Sequence, residues 1–140
     1  MTIDEVGRRV PDSELDYDEE LVYRWQGALF TGVGFDEMAD GVRSEVSYRY
    51  GLRDGPARDW YPSGALKAEL WFRENVHHGM EREYDECENL LREGCFEYGI
   101  LVSRAERDDQ GNMAVKFRID PDSKNYEILD RYRREKGWPA

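Results

Sequence analysis

Only two cysteines, Cys87 and Cys95, occur among the 140 residues. A small disulfide-stapled secreted domain carries a denser set. The pair flanks an expected turn at Glu88-Asn89 unequally, one residue beside it and the other well past it. Directly paired positions are therefore not expected, and both are read as reduced thiols of a cytosolic protein. No apolar run approaches the roughly eighteen residues that a membrane-spanning helix needs, and the N-terminus has no hydrophobic signal core. A soluble, unexported chain is expected.

Basic residues are outnumbered, with 20 Lys and Arg against 31 Asp and Glu, for a net charge of −11. Direct binding to DNA, RNA or an anionic membrane is not expected, because their phosphates attract cationic side chains. A basic partner is. Residues 1–20 alone hold eight acidic and two basic residues, a net −6, so the excess is concentrated in an acidic leader. Histidine is confined to His77-His78. Neighbours on extended backbone point to opposite sides, so these two are not expected to share a metal ion. No glycine-rich phosphate loop joins a strand to a helix, there is no nucleophile elbow, and nothing singles out one carboxylate pair for glycosidase chemistry. The chain is read as non-catalytic, with no cofactor and no metal.

What the sequence does contain is a repeat of about twenty-four residues. Glu45, Glu69 and Glu93 keep a constant interval, as do Val46, Leu70 and Gly94; Tyr48, Phe72 and Phe96; Gly51, Asn75 and Gly99; and Leu52, Val76 and Ile100. Gly32, Gly55 and Gly79 keep the same beat with one residue dropped in the first copy. A period of this length marks small supersecondary units that bury their apolar faces only by stacking. The hydrophobic fraction of 39% is low for a thick core, whereas 13% aromatic residues suit a thin layered one.

The expected organisation is a leader over residues 1–20, hairpin repeats over 21–119 and a helical segment over 120–140. The units span about 32–54, 55–78, 79–98 and a degenerate 99–119. In the leader, Val10, Leu15 and Tyr17 are placed to hold a short strand against the stack. In the second unit, Pro62-Ser63-Gly64 is turn chemistry. Alternation on the return strand puts Leu66, Ala68, Leu70 and Phe72 on one face and Lys67, Glu69, Trp71 and Arg73 on the other. The third unit has Glu88 where the turn glycine belongs, so a different hairpin turn is expected there. Asp122 or Ser123 is placed to cap a helix running to Lys136 and ended by Gly137, with Ile128, Leu129 and Tyr132 on one face. It is expected to cover the open edge of the last hairpin.

The segment Trp60-Tyr61-Pro62-Ser63-Gly64-Ala65-Leu66-Lys67-Ala68-Glu69, followed by Phe72, Asn75 and Gly79, resembles the variant MORN repeat. The likeness extends over about residues 27–100. It implies a mainly β fold, an elongated single-layer antiparallel sheet of stacked β-hairpins, here with one C-terminal capping helix. It further implies kinship with bacterial immunity proteins and antitoxins.

Two readings attach to the glutamate column. Arg58 and Arg82, matched on the outgoing strands, give an ion-pair stripe with Glu45, Glu69 and Glu93; alternatively, the glutamates form an acidic strip that receives a basic, nuclease-like toxin domain. Trp71 on the same side is either a partner anchor or packed under the leader or the helix. The candidate partner-binding set is Glu45, Glu69, Glu93, Trp71, Lys67 and Arg73, with leader carboxylates Asp16, Asp18, Glu19 and Glu20 extending the negative field. The expected function is neutralisation of a toxin by occlusion. The alternative is an assembly scaffold built from the repeats.

Overall fold

The computed structural model describes residues 7–139, so the first six residues of the expected leader lie outside the described residues. Four short strands come first: β1 (Arg9–Pro11), β2 (Leu15–Tyr17), β3 (Tyr23–Trp25) and β4 (Ala28–Leu29). The repeat region supplies β5 (Gly32–Glu37), β6 (Arg43–Arg49), β7 (Leu52–Trp60), β8 (Leu66–Arg73), β9 (Val76–His77), β10 (Gly79–Tyr84), β11 (Leu90–Glu97), β12 (Ile100–Arg107) and β13 (Met113–Arg118). Helix α1 (Lys124–Lys136) follows. The chain is thus mainly β, with one open sheet in the order β1-β5-β6-β7-β8-β10-β11-β12-β13 and β9 paired to β8. Strands from β5 onward pair antiparallel, and β1 joins β5 in parallel.

Two kinds of turn build the hairpins. At one end of the strands the N–H groups of Met38, Tyr61, Asp85 and Asp108 donate to the carbonyls of Val42, Ala65, Asn89 and Asn112. The N–H of Gly41, Gly64, Glu88 and Gly111 closes each turn by donating back to the first residue. These closing residues all have positive φ, +87°, +94°, +67° and +84°. The third turn therefore does not differ from the others, contrary to the expectation drawn from its missing glycine. The Asp85 side chain explains it. Its Oδ1 accepts from the N–H groups of Cys87 and Asn89 at 2.9 Å, fixing the loop around Glu88. Asp108 does the same for Gln110 and Asn112.

At the other end lie two-residue turns, Gln26-Gly27, Tyr50-Gly51, Glu74-Asn75 and Tyr98-Gly99, with both residues at positive φ. This is the type I′ geometry, whose twist suits a tight hairpin. Each of the last three is tied to the preceding unit, because Gly51, Asn75 and Gly99 donate through 2.8 Å bonds to the carbonyls of Phe30, Arg53 and His77. The first of these turns joins β3 to β4, so the hairpin pattern begins before residue 32.

Burial is concentrated at the two ends of the stack. Val10, Leu15, Phe30 and Tyr48 form a cluster with Tyr23, Trp25 and Val46 packed on it. Here β2, β3 and β4 form a second sheet, so the fold is not a single layer at this end. Val10 and Leu15 act as expected; Tyr17 is 67% exposed and only leans on Tyr23. At the other end, Ser123 caps α1 by accepting from Tyr126 N–H at 3.2 Å, and Gly137 ends it in the left-handed conformation. Leu129 is fully buried, which stabilises the docked helix by about 2 kcal/mol. The anchoring contacts of α1 go to Glu97 and Tyr98, at the turn between β11 and β12. The expectation that the helix covers the outer edge of β13 is therefore corrected. Arg133 and the C-terminal aromatics find their partners farther into the sheet.

Candidate functional site

Alternation along the strands gives the large sheet two faces of different character. On one, Glu45 lies opposite Arg58, Arg58 opposite Glu69, Glu69 opposite Arg82, and Arg82 opposite Glu93. Arg58 Nε donates to Glu69 Oε2 at 2.6 Å and Arg82 Nε to Glu93 Oε2 at 3.1 Å, while Arg9 reaches Glu45. The three glutamates are brought together, but within a row of alternating sign. Of the two readings of this column, the ion-pair stripe describes the geometry, and the row is close to neutral. Burial works to raise Glu69, but the bonds from Arg58 and the Trp71 indole N–H outweigh it and hold the carboxyl below its ordinary value.

Beside this row lies a trough of about 970 Å³. Arg49, Tyr50, Trp71, Met80, Cys95 and Pro139 are among the residues that line it. Trp71 is 38% exposed and packs on the backbone of Gly79, where an added Cβ would sit 3.0 Å from the Trp71 Cβ. A second hollow, of about 630 Å³, lies among Arg9, Phe35, Glu37, Arg43 and Trp60.

Of the other expected site residues on this face, Lys67 lies over the Tyr61 ring at 5.6 Å and Arg73 over the Trp138 ring at 4.7 Å. The four leader carboxylates are not brought to the glutamate row. Beyond Arg9, which joins the glutamate row from β1, the leader packs through Val10 and Leu15 on the opposite face, the one that carries Val46 and Tyr48. Asp16 pairs in register with Arg24, and Glu19 and Glu20 are exposed in the turn between β2 and β3. Asp18 organises that turn, accepting from Glu20 and Val22 N–H and from Arg24. These bonds, the Val22 N–H first, hold its carboxyl below the usual range.

The opposite face carries a row of flat side chains near the two-residue turns. Tyr23 contacts Tyr48 at 4.8 Å between centroids, Arg53 covers Phe72 at 4.4 Å, and His77 sits between Phe72 and Phe96 at 4.8 and 5.0 Å. Burial lowers the His77 pKa. His78 points the other way: its Nδ1 accepts from Tyr98 N–H and its Nε2 lies against the Pro139 carbonyl. The two rings diverge, as the extended backbone requires. Among the described residues no group of three or more His, Cys, Asp or Glu side chains is placed to share a metal ion. Burial, and then the Glu97 charge, pushes the Cys95 thiol above its ordinary value, the reverse of what an activated nucleophile needs.

Arg49 and Tyr50 were absent from the set expected from sequence. Their signal is the interval itself. Tyr50 and Tyr98 occupy the same place in two-residue turns forty-eight residues apart, yet Tyr50 is 55% exposed and Tyr98 only 8%. Neither a protein-family model nor a curated protein sequence matches this chain.

Proposed function

We propose that the chain is a non-catalytic protein-binding module that neutralises a partner protein by covering it, in the manner of the MORN-like immunity proteins and antitoxins that its sequence resembles. The observation that carries this reading is the open face holding Trp71 beside a trough of about 970 Å³. Half-exposed aromatic side chains beside concave, well-braced backbone are the usual anchors of protein interfaces. The alternating row formed by Arg58, Glu69, Arg82 and Glu93 orients an incoming surface, since interfacial charge sets register and on-rate more than affinity. The net charge of −11 favours a basic partner such as a nuclease-like toxin domain, whose active-site groove the face would occlude.

Co-purification of the tagged chain with the product of the adjacent gene tests the reading. Recovery of a stoichiometric complex in which the partner loses its activity is expected. A Trp71→Ala, Glu69→Lys variant that retains full neutralisation would remove this face from the mechanism. A second reading, an assembly scaffold, is favoured by the exposed β13 residues Met113, Val115 and Phe117. Light scattering separates the two: a mass that climbs with concentration supports the scaffold, and a constant monomer supports the neutralising module.

A further inference from the structure

The chain docks its own C-terminal segment on one of its two-residue turns, and the same turn recurs two units earlier with no such cover among the described residues. At Tyr98-Gly99 the aromatic ring is covered by Trp138 and Tyr132, with centroids 5.1 and 5.4 Å away, and its hydroxyl accepts from Trp138 N–H at 2.8 Å. The preceding residue, Glu97, receives both arms of Arg133 at 2.9 and 2.6 Å. Tyr98 N–H donates to a side chain of the unit before, His78 Nδ1, at 3.0 Å.

Forty-eight residues earlier, Tyr50-Gly51 has the same positive φ pair, and Tyr50 N–H donates to Thr31 Oγ1 at 2.9 Å. Backbone and bracing match, but among the described residues no segment stacks on Tyr50, which is 55% exposed. At the position of Glu97 stands Arg49, which makes no ion pair among the described residues. The charge that recognises the covering segment is thus reversed between two otherwise equivalent places. Arg49 and Tyr50 line the same trough as Trp71 and Pro139, the residue that follows Trp138.

We propose that Arg49 and Tyr50, with Trp71, form a second docking position for a helix or its C-terminal extension, and that it takes a partner segment presenting an aromatic side chain and a carboxylate. The aromatic group lies on Tyr50 as Trp138 lies on Tyr98; the carboxylate meets Arg49 as Arg133 meets Glu97, with signs exchanged. A second copy of this chain is a poor occupant, because its Arg133 would face Arg49. The inference rests on the protein-binding reading and names the chemistry of the contact.

The probe is a labelled synthetic peptide of residues 124–139 carrying Arg133→Glu, titrated into the intact protein and followed by fluorescence anisotropy. The unchanged peptide serves as the comparison. Saturable one-to-one binding is expected, about fivefold tighter than for the unchanged peptide, as one partly exposed ion pair allows. Arg49→Glu inverts that preference, and Tyr50→Ala abolishes binding; Tyr50 is exposed enough for the fold to survive, which an unchanged thermal melt verifies. No binding at millimolar peptide, equal affinity for both peptides, or indifference to Arg49→Glu overturns the proposal. The partner complex is read separately. If it forms and neutralises but ignores Arg49→Glu, this contact is wrong while the broader reading stands; if the peptide binds but no partner is neutralised, the reverse holds.

Discussion

Replacing Glu88 by glycine isolates the contribution of one backbone angle. Glu88 holds φ at +67°, while Gly41, Gly64 and Gly111 occupy the same place in the other three turns. A side-chain-bearing residue in this region loses roughly 1–2 kcal/mol through the clash of Cβ with the following carbonyl. Glycine returns part of that, roughly 0.5–1 kcal/mol, as extra freedom of the unfolded chain. The Glu88→Gly variant is therefore expected to be more stable by about 1 kcal/mol, a rise of about 3 °C in Tm for a chain of this size. Gly64→Ala is the mirror experiment. An added Cβ there meets nothing within 4 Å, so its effect is conformational alone. A loss of about 1 kcal/mol is expected after the smaller entropy of the unfolded alanine chain is credited. Glu88→Ala keeps the strained angle and is expected to give no gain. Circular dichroism melts and urea titrations with an unchanged m-value measure all three. A lower Tm for Glu88→Gly, or an equal gain for Glu88→Ala, would refute the argument from backbone strain.

Four other outcomes are expected. Glu97→Gln removes the charge that holds Arg133 and should lower stability by about 2 kcal/mol with loss of helical signal at 222 nm. The Arg133 bonds depress the Glu97 pKa in the folded state, so the stabilisation is present above the ordinary carboxylate range and vanishes as pH falls through the folded value; the variant should flatten that acid limb. Asp12 has the opposite sign: burial, and then the Asp36 charge, raises its pKa, and its Oδ1 has no hydrogen-bond partner. Its contribution is greatest below the ordinary carboxylate range and declines as pH rises through the folded value, so Asp12→Asn should raise the Tm above that of the unsubstituted chain at neutral pH, with the gain shrinking at pH 4. A double-mutant cycle on Arg58→Ala and Glu69→Ala should return a coupling under about 1 kcal/mol that shrinks in 1 M salt, because the pair is partly exposed.

The parts of the fold that depend on local chemistry were legible in the sequence. Glycine columns and the two-residue alternation placed the hairpins of the first two units and sorted Lys67, Glu69, Trp71 and Arg73 onto one face. The helix cap and its Gly137 stop followed from the same kind of local rule. What escaped was set by particular side-chain partners, local in one case and distant in the chain in the others. The missing glycine at Glu88 predicts a different hairpin turn only when glycine alone marks the turn; the recurring aspartates Asp85 and Asp108 carry the compensating signal. The sequence pattern places Val10 and Leu15 against the stack, but not on which face, so the expectation that Asp16, Asp18, Glu19 and Glu20 extend the field of the glutamate row fails. The docking of α1 beside Tyr98 was hidden because Glu97 and Arg133 are thirty-six residues apart. Arg49 and Tyr50 were passed over because only the covered state of Tyr98 makes an uncovered Tyr50 conspicuous.

The ties between consecutive two-residue turns have a consequence for how such a chain can change in length. The N–H groups of Gly51, Asn75 and Gly99 each reach back one unit, and only the Asn75 side chain among these three residues goes farther, to the Leu21 carbonyl. A tandem duplicate of residues 52–75 spliced in after Asn75 would find the same backbone ties on either flank, with only the Asn75 bond to Leu21 left unrepeated in the second copy. The molecule would grow by one hairpin while its two packed ends stayed as they are, and the span between the leader and the helix would become a dimension that gene duplication alone can set.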